Sequence, residues 1–463
     1  MAPNLLEAAQ TNKRTHWLVL FYLVCCTFAL VYLPIHFAIV VAFLPFALAF
    51  VLNCSELLLI AFVLFSYFRL HEAFPVLMPL KLPKLFALAS LFAVCWHTWI
   101  SCKITPYWSK LHTVFAVVFF WLTVSVLFAS NRALAMETWK EVLLKVLIMV
   151  FVISWWFKDM KVFAYTRLGI MFSGTLVAIV AISNRINEIG LVEGTRVTIS
   201  RSLGSQLGDP NDLSLVLMFP VSFVAAEVFN SDNSKLRRLI SLICLITIIS
   251  AVICTQSRGG LLGIMAILGY FTYQKIKNPL LLISLAVPVL LALAVVAGIS
   301  ERASGGAAED GIDESAMGRI YAWQAAFNMA LSNPLTGVGV KNFYVNYFFY
   351  SPHWDGKNHA VHSTWFQVLG ESGFVGLVLF IVLIASIYRT LTQVLLKAKQ
   401  LGHPGYLING NALMSGLLGF CVSGTFLTQA FTWPLYIVLS LTIALEHLVK
   451  SHTKKEERDV SAS

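Results

Sequence analysis

Charge is scarce in this chain. Only 12% of its 463 residues are Asp, Glu, Lys or Arg, where a soluble domain spends about 25%. With 58% hydrophobic residues and a mean hydropathy of +0.78, a soluble fold of this length is excluded. Metal and disulfide signatures are also missing. The eight cysteines form no CxxC pair, and six of them (Cys25, Cys26, Cys95, Cys244, Cys254 and Cys421) lie within or at the ends of apolar runs, where a free thiol acts as a small hydrophobe. No small-residue cleavage site follows the first apolar run, which is therefore expected to stay as a span and not to leave as a signal peptide. Charges gather at the ends of apolar runs and the two halves share no inverted pattern, both of which argue against a secondary transporter.

What is present is a succession of apolar runs, from 16–33 and 36–52 through 279–299 to 431–449. Each approaches the ~20 residues that cross ~30 Å of hydrocarbon. The expectation is an all-α polytopic membrane protein of about 12–14 transmembrane helices. Basic clusters orient it: Lys13/Arg14, Lys158/Lys161/Arg167, Lys235/Arg237/Arg238, Lys275/Lys277, Arg389/Lys397/Lys399 and Lys450/Lys454/Lys455 fall on one side if the helices from 111 onward alternate. Short basic loops mark the cytoplasm, which places both termini there. These flanks account for most of the formal charge of +10, which is read as topology and membrane-lipid contact, with no nucleic acid as partner.

The same alternation leaves two long segments, 184–211 and 300–365, on the opposite face. Three organisational parts follow: N-terminal membrane helices over 1–183, a central region over 184–390 containing the loop 300–365, and C-terminal helices with a cytoplasmic tail over 391–463. The central region supplies Arg185, Arg196 and Arg201 from one loop, and Arg258 from the string Thr255-Gln256-Ser257-Arg258-Gly259-Gly260 between two apolar runs. An arginine there is costly in hydrocarbon and is normally kept for a charged partner or a water-filled cavity. Guanidinium groups converging from separate segments suit an anionic ligand; contact with lipid headgroups is the simpler reading for the loop arginines.

The long loop has internal order. Residues 300–316 are small, acidic and expected to be mobile. From Met317, Ile320, Trp323, Phe327 and Leu331 recur at helical spacing with Arg319 off the stripe, predicting an amphipathic helix on the membrane surface. Ser332-Asn333-Pro334 ends it, and Gly337 and Gly339 mark a turn. His359 and His362, three apart, precede the next span and Glu371. A metal site is disfavoured because no third ligand accompanies the pair. Two readings remain: helix-entrance histidines bonded to backbone, or a general base facing the arginines. Asp209, followed by Pro210 and Asp212, reads first as a helix cap and second as a carbohydrate- or arginine-binding group. Glu371 is a candidate partner for Arg258 or His362. Loop aromatics, among them Trp323, Tyr344, Tyr347, Trp354 and Trp365, fit sugar stacking and an interfacial belt equally well.

In order, these features are Thr255 to Gly260, Met317-Gly318-Arg319-Ile320-Tyr321-Ala322-Trp323, Asn333-Pro334-Leu335-Thr336-Gly337-Val338-Gly339, then His359 to Glu371 followed by Ser372-Gly373-Phe374-Val375-Gly376. The series resembles the O-antigen ligase and polymerase superfamily over about 200–390. Members are GT-C-like enzymes of the bacterial inner membrane that move glycans from a polyprenyl-diphosphate carrier at the periplasmic face. The resemblance implies catalytic roles for Arg258, Arg319 and His362, the arginines holding the diphosphate and the histidine activating an acceptor hydroxyl. Arg196, Arg201, His359, Asp209 and Glu371 are the further candidates for substrate binding. The expected reaction is metal-independent, uses no cofactor and inverts the anomeric carbon. The expected acceptor is lipid A-core, as in an O-antigen ligase; polymerases of O-antigen or exopolysaccharide and protein O-oligosaccharyltransferases share the donor chemistry.

Overall fold

The computed structural model describes residues 20–276, Asn278, Leu280, Leu281, Ser284, Pro288 and 314–462. The apolar run 279–299 and the acidic stretch 300–316 lie largely outside the described residues, as do Lys13 and Arg14. Described residues are helical apart from loops and one isolated β-bridge between Val192 and Arg196. Two compact units are present, Met1–Leu58 and Leu59–Ser463. The first contains α1 (Leu20–Tyr32) and α2 (Ile35–Asn53).

The helices that follow are α3 (Ser55–Phe68), α4 (Leu70–Ala73), α5 (Leu82–Trp99), α6 (Lys110–Leu127), α7 (Arg132–Thr138), α8 (Leu144–Trp156), α9 (Met160–Ile186), α10 (Pro210–Phe229), α11 (Lys235–Thr255) and α12 (Arg258–Lys275). The chain continues with α13 (Glu314–Ser332), α14 (Phe343–Tyr350), α15 (Thr364–Gln400), α16 (Pro404–Gly424) and α17 (Trp433–Ala462). Eight of the described helices are long and apolar enough to cross a membrane, which establishes the polytopic class. The apolar runs at 55–69 and 141–157 are not among the eight: they fold as helices of 14 and 13 residues, the second preceded by a π-helical turn over Trp139–Leu143, and the run 279–299 lies largely outside the described residues.

Helix α10 is the buried centre of the second unit, packed on α9, α11, α12 and α16. Small residues let its neighbours close in, which is how helices gain contact where lipid is as apolar as the side chains. A Cβ on Gly260 would lie 1.5 Å from Ser214 Oγ, and one on Gly263 would lie 2.3 Å from Met218 Sδ, so glycine at both positions lets α12 sit against α10 without moving those side chains. Another cluster fixes the opposite end of α10. Glu227, 1% exposed, pairs with Arg167, and accepts from Arg237 at 2.8 Å and from Asn233 at 2.6 Å; Arg167 also donates to Asn409 at 3.0 Å. The charge pattern groups Arg167 with the basic flanks that touch lipid; it is instead 5% exposed and bound inside the protein.

Helix α15 is broken where it must pass a tight turn. Gly373 has φ 72° and ψ −174° inside a 37-residue helix, and the turn 334–339 docks into the gap. Backbone groups freed by the break are satisfied: Val338 N–H donates to Gly370 O at 2.9 Å, Gly339 N–H to Glu371 O at 3.1 Å and Phe374 N–H to Pro334 O at 2.9 Å. Ser125 Oγ donates to Glu371 O at 2.7 Å, and Trp121 Nε1 donates to Ser372 O at 3.2 Å. Such an interruption is tolerated at membrane depth only when protein replaces the lost partners.

The amphipathic helix is present as α13, but a different face is buried. Ala322, Ala325, Ala326, Met329 and Ala330 are fully buried, while Phe327 and Leu331 of the expected stripe are exposed. The helix packs on α15, where a Cβ on Gly370 would meet Ala326 Cα at 3.3 Å, so small side chains face the protein and the large ones are left outward.

Gly337→Ala and Gly373→Ala are expected to destabilise the protein. Each glycine has positive φ, and each added Cβ would come within 2.4 Å of a carbonyl oxygen, of Gly370 and Leu335 respectively. Strain of this kind costs roughly 1–3 kcal/mol before the clash is counted. Gly269→Ala, with open space around its Cβ, is the control. Thermal unfolding in detergent should show lower midpoints for the first two variants and no fall for the third; equal midpoints would refute the docking role.

Candidate functional site

The starts of α10, α12 and α15 and the end of α11 are tied together by polar groups. Helix α11 ends at Gln256, in the left-handed region at φ 51°, and the chain turns at once into α12, capped by Ser257 Oγ accepting from Gly260 N–H. This turn presents Arg258 as the first residue of α12, on the surface. The preceding loop supplies Arg196, only 3% exposed, which donates to Thr255 O at 3.1 Å and to Asn211 Oδ1 at 3.0 Å. Ser257 Oγ donates to the same Asn211 oxygen at 3.0 Å. Asn211 thus links Arg196 to the residue beside Arg258.

Asp209 caps α10, with Oδ1 accepting from Asn211 N–H at 2.8 Å and Asp212 N–H at 3.2 Å. Pro210 stands at the first helical position, as the sequence predicts. Asp212 accepts from Gln429 Nε2 at 2.8 Å, and the Gln429 N–H donates to Thr364 Oγ1 at 3.2 Å, which carries the network to the start of α15.

His362 lies two residues before α15, next to the capping Ser363. Its φ is 47°, a left-handed conformation that costs a side chain roughly 1–2 kcal/mol. Neighbours hold it there. Val361 is buried in the core under α13 and its carbonyl accepts from Trp323 Nε1 at 3.1 Å, while Trp323 stacks on Phe366 with ring centroids 5.2 Å apart. Burial, and next the Arg319 guanidinium, hold the His362 imidazole below the ordinary histidine range. Asp209 acts in the opposite sense, and His359 and Arg196 add to the lowering. Four candidates named from sequence, Arg319, Asp209, His359 and Arg196, therefore bear on the charge of a fifth, His362. A neutral imidazole among cations is in the form that accepts a proton.

Other candidates are placed differently. Arg201 is exposed, and its Nη1 donates to Gly208 O at 2.8 Å, bracing the loop just before Asp209. His359 Nε2 meets Asp355 Oδ2 at 2.9 Å. Glu371 corrects an expectation: its carboxylate pairs with neither Arg258 nor His362. It is 3% exposed and accepts from the N–H groups of Lys341 at 2.9 Å and Phe343 at 3.3 Å, so it anchors the chain leading into α14. Among the described residues no three His, Cys, Asp or Glu side chains stand close enough to share a metal ion.

The loop aromatics divide. Trp323, Tyr347 and Trp365 are spent inside the protein, with Tyr347 1% exposed and Trp365 Nε1 donating to Thr425 at 3.2 Å. Tyr344 and Trp354 remain exposed. Sequence reasoning passes over Asn211, Ser257 and Gln429 as contributors. A signal exists for the last, in the polar residues of Thr425 to Thr432 between two apolar runs. Asn211 is hidden between two aspartates that already explain a helix start.

Histidine NMR titration of the purified protein in detergent, with His362 identified by its loss in His362→Gln, checks this electrostatic arrangement. His362 should titrate below the value of about 6.5 that an unperturbed histidine shows. Arg319→Gln should raise its pKa, because one cation opposing protonation is gone. An unchanged or lower value in Arg319→Gln would show that Arg319 does not act on this ring.

Residues 243–381 match a family model, Wzy_C, described as O-antigen ligase. That stretch contains Arg258, Arg319, His359, His362 and Glu371 and leaves out Arg196, Arg201 and Asp209. Comparison with curated proteins gave no match. Over residues 243–381 the chain is therefore similar to the O-antigen ligase family, a likeness that points to a glycan-transferring membrane enzyme.

Proposed function

We propose that the protein transfers a glycan from a polyprenyl-diphosphate carrier to an acceptor hydroxyl, acting as an O-antigen ligase with lipid A-core as acceptor. The observation that carries this reading is the O-antigen ligase match over 243–381, which contains Arg258, Arg319 and His362, the last held in a left-handed conformation just before α15. In the proposed reaction Arg258 and Arg319 hold the diphosphate. Guanidinium stays charged and binds phosphate oxygens in a fork, so it stabilises the leaving group as its bond to the anomeric carbon breaks. His362 accepts the proton of the acceptor hydroxyl as that oxygen attacks from the opposite side. Arg196 and Asp209 hold the loop and helix start that frame the donor, and Arg201 and His359 lie at its edge. The basic flanks support a periplasm-facing site in the bacterial inner membrane, with both termini in the cytoplasm.

Deleting the gene in its native host tests the acceptor. Loss of glycan from lipid A-core with long lipid-linked chains retained is the expected result; accumulation of single lipid-linked repeats would make the protein a polymerase instead.

Purified variants test the roles. Arg258→Lys and Arg319→Lys should each lower transfer by roughly 10²–10³-fold, the cost of losing a directed donor to developing charge. His362→Ala should lower turnover by roughly 10²–10⁴-fold while leaving donor binding nearly intact. Transfer in excess EDTA should proceed at full rate. Normal turnover in the lysine variants would remove the diphosphate role, and activity lost to chelation and restored by one divalent ion would replace the arginines as the principal electrophile.

A further inference from the structure

A cavity of about 560 Å³ opens between α3, α5 and α8, and none of the residues assigned to transfer lines it. Its deeper wall is apolar and aromatic, including Phe62, Phe65, Leu91 and Met149. Its charged lining is unbalanced: Lys84 and Lys145 stand against the single carboxylate of Glu141, while Arg69, also in the lining, is paired with Glu72. Lys84 and Lys145 enter no ion pair among the described residues, and the carboxylate of neighbouring Glu72 is engaged by Arg69 and by Ser205 Oγ at 2.5 Å. His71 also lines the cavity, and its buried Nδ1 has no hydrogen-bond partner in the protein. A buried polar atom of this kind normally has a partner.

Separate features of the chain build this lining. Glu141 comes from the π-helical turn, the kind of irregular turn found at functional positions, and Lys145 from the first turn of α8 that follows it. Arg69, at φ 49°, is the cap position before α4. Leu88 and Ile148 of the lining are exposed apolar residues, so the apolar lining continues onto the protein surface. The Glu72 carbonyl accepts from Ser200 Oγ at 2.6 Å, which puts the charged end of the cavity next to the loop that carries Arg201 and Asp209.

Cations beside exposed apolar walls describe an amphiphile with an anionic head. The volume suits a headgroup and the first part of a chain, since pockets of roughly 300–1,000 Å³ hold ligands of that size. We propose that the cavity binds a membrane lipid whose phosphate headgroup carries a net negative charge, the phosphate held by Lys84 and Lys145 beside Arg69 and the chain lying along Phe62, Phe65 and Leu91. The site is independent of the transfer chemistry and stands whether or not that reading holds.

The test uses the full-length protein, purified in neutral detergent, and native mass spectrometry of lipid retention. Phosphatidylglycerol should be retained over phosphatidylcholine, and excess inorganic phosphate should not displace it. Lys84→Gln combined with Lys145→Gln should lower retention roughly tenfold or more, as expected when two cations near an anionic headgroup are lost. Lys84→Arg with Lys145→Arg should retain the lipid. Leu91→Trp, which fills the apolar wall and leaves the charges in place, should also reduce retention, and it serves if the glutamine variant does not fold. Unchanged retention in both the glutamine and tryptophan variants would overturn the proposal. Equal retention of phosphatidylcholine, or displacement by inorganic phosphate, would overturn it as well, by assigning the cavity to any chain or to a free anion.

Discussion

The break in α15 at Gly373 is the constraint on which the rest of the candidate site depends. A spanning helix that loses its ladder leaves carbonyl groups in a medium that cannot hydrogen-bond them, and each would cost several kcal/mol if left alone. Here the carbonyls of Gly370, Glu371 and Ser372 are taken by Val338, Gly339, Ser125 and Trp121. The requirement that these partners be close ties the turn 334–339, the end of α6 and the start of α14 to one point on α15. Once they are tied, α13 is laid along α15 with its alanines inward, and the first turn of α15, with His362 before it, is fixed relative to Arg319. Glu371 completes the arrangement by binding backbone N–H groups ahead of α14. Its burial serves architecture, and the resulting rigidity is what a reaction needing aligned groups requires.

A second constraint comes from the arginine side. Arg196 is almost fully buried and would be costly without partners, so its bonds to Thr255 O and Asn211 lock the end of α11 to the start of α10. Ser257 shares Asn211, which fixes the direction in which α12 leaves and therefore the place of Arg258. Glycines at 260 and 263 then let α12 descend along α10 without a gap. Surface arginine and strained histidine are thus supported by buried polar groups that make no claim to chemistry themselves. The left-handed backbone of His362 fits this pattern, since strain persists only where the surroundings over-determine it.

Much of this arrangement is legible in the amino-acid sequence. Composition announces a membrane protein, and Pro210 after Asp209 announces a helix start whose cap geometry is found as expected. Ser332-Asn333-Pro334 and the glycines at 337 and 339 announce a helix end and a turn. Other features are not legible because their causes are non-local. The buried face of α13 is chosen by Gly370, some 40 positions on, and not by the large apolar stripe that periodicity picks out. Glu371 resembles a partner for an arginine because sequence cannot show that two backbone N–H groups reach it first. Arg167 resembles a topology marker because Glu227 and Asn409, distant in sequence, meet it only in the fold.

The central claim is direct displacement: a hydroxyl deprotonated by His362 attacks a sugar whose diphosphate is held by arginines, with no covalent enzyme intermediate. The stereochemistry of one turnover tests it most directly. Purified protein would be given a polyprenyl-diphosphate glycan of known anomeric configuration together with its acceptor, and the configuration of the new glycosidic bond read by NMR. A single displacement predicts inversion at the anomeric carbon. Retention would contradict the account, because it requires two displacements and a nucleophile that the proposed roles do not contain.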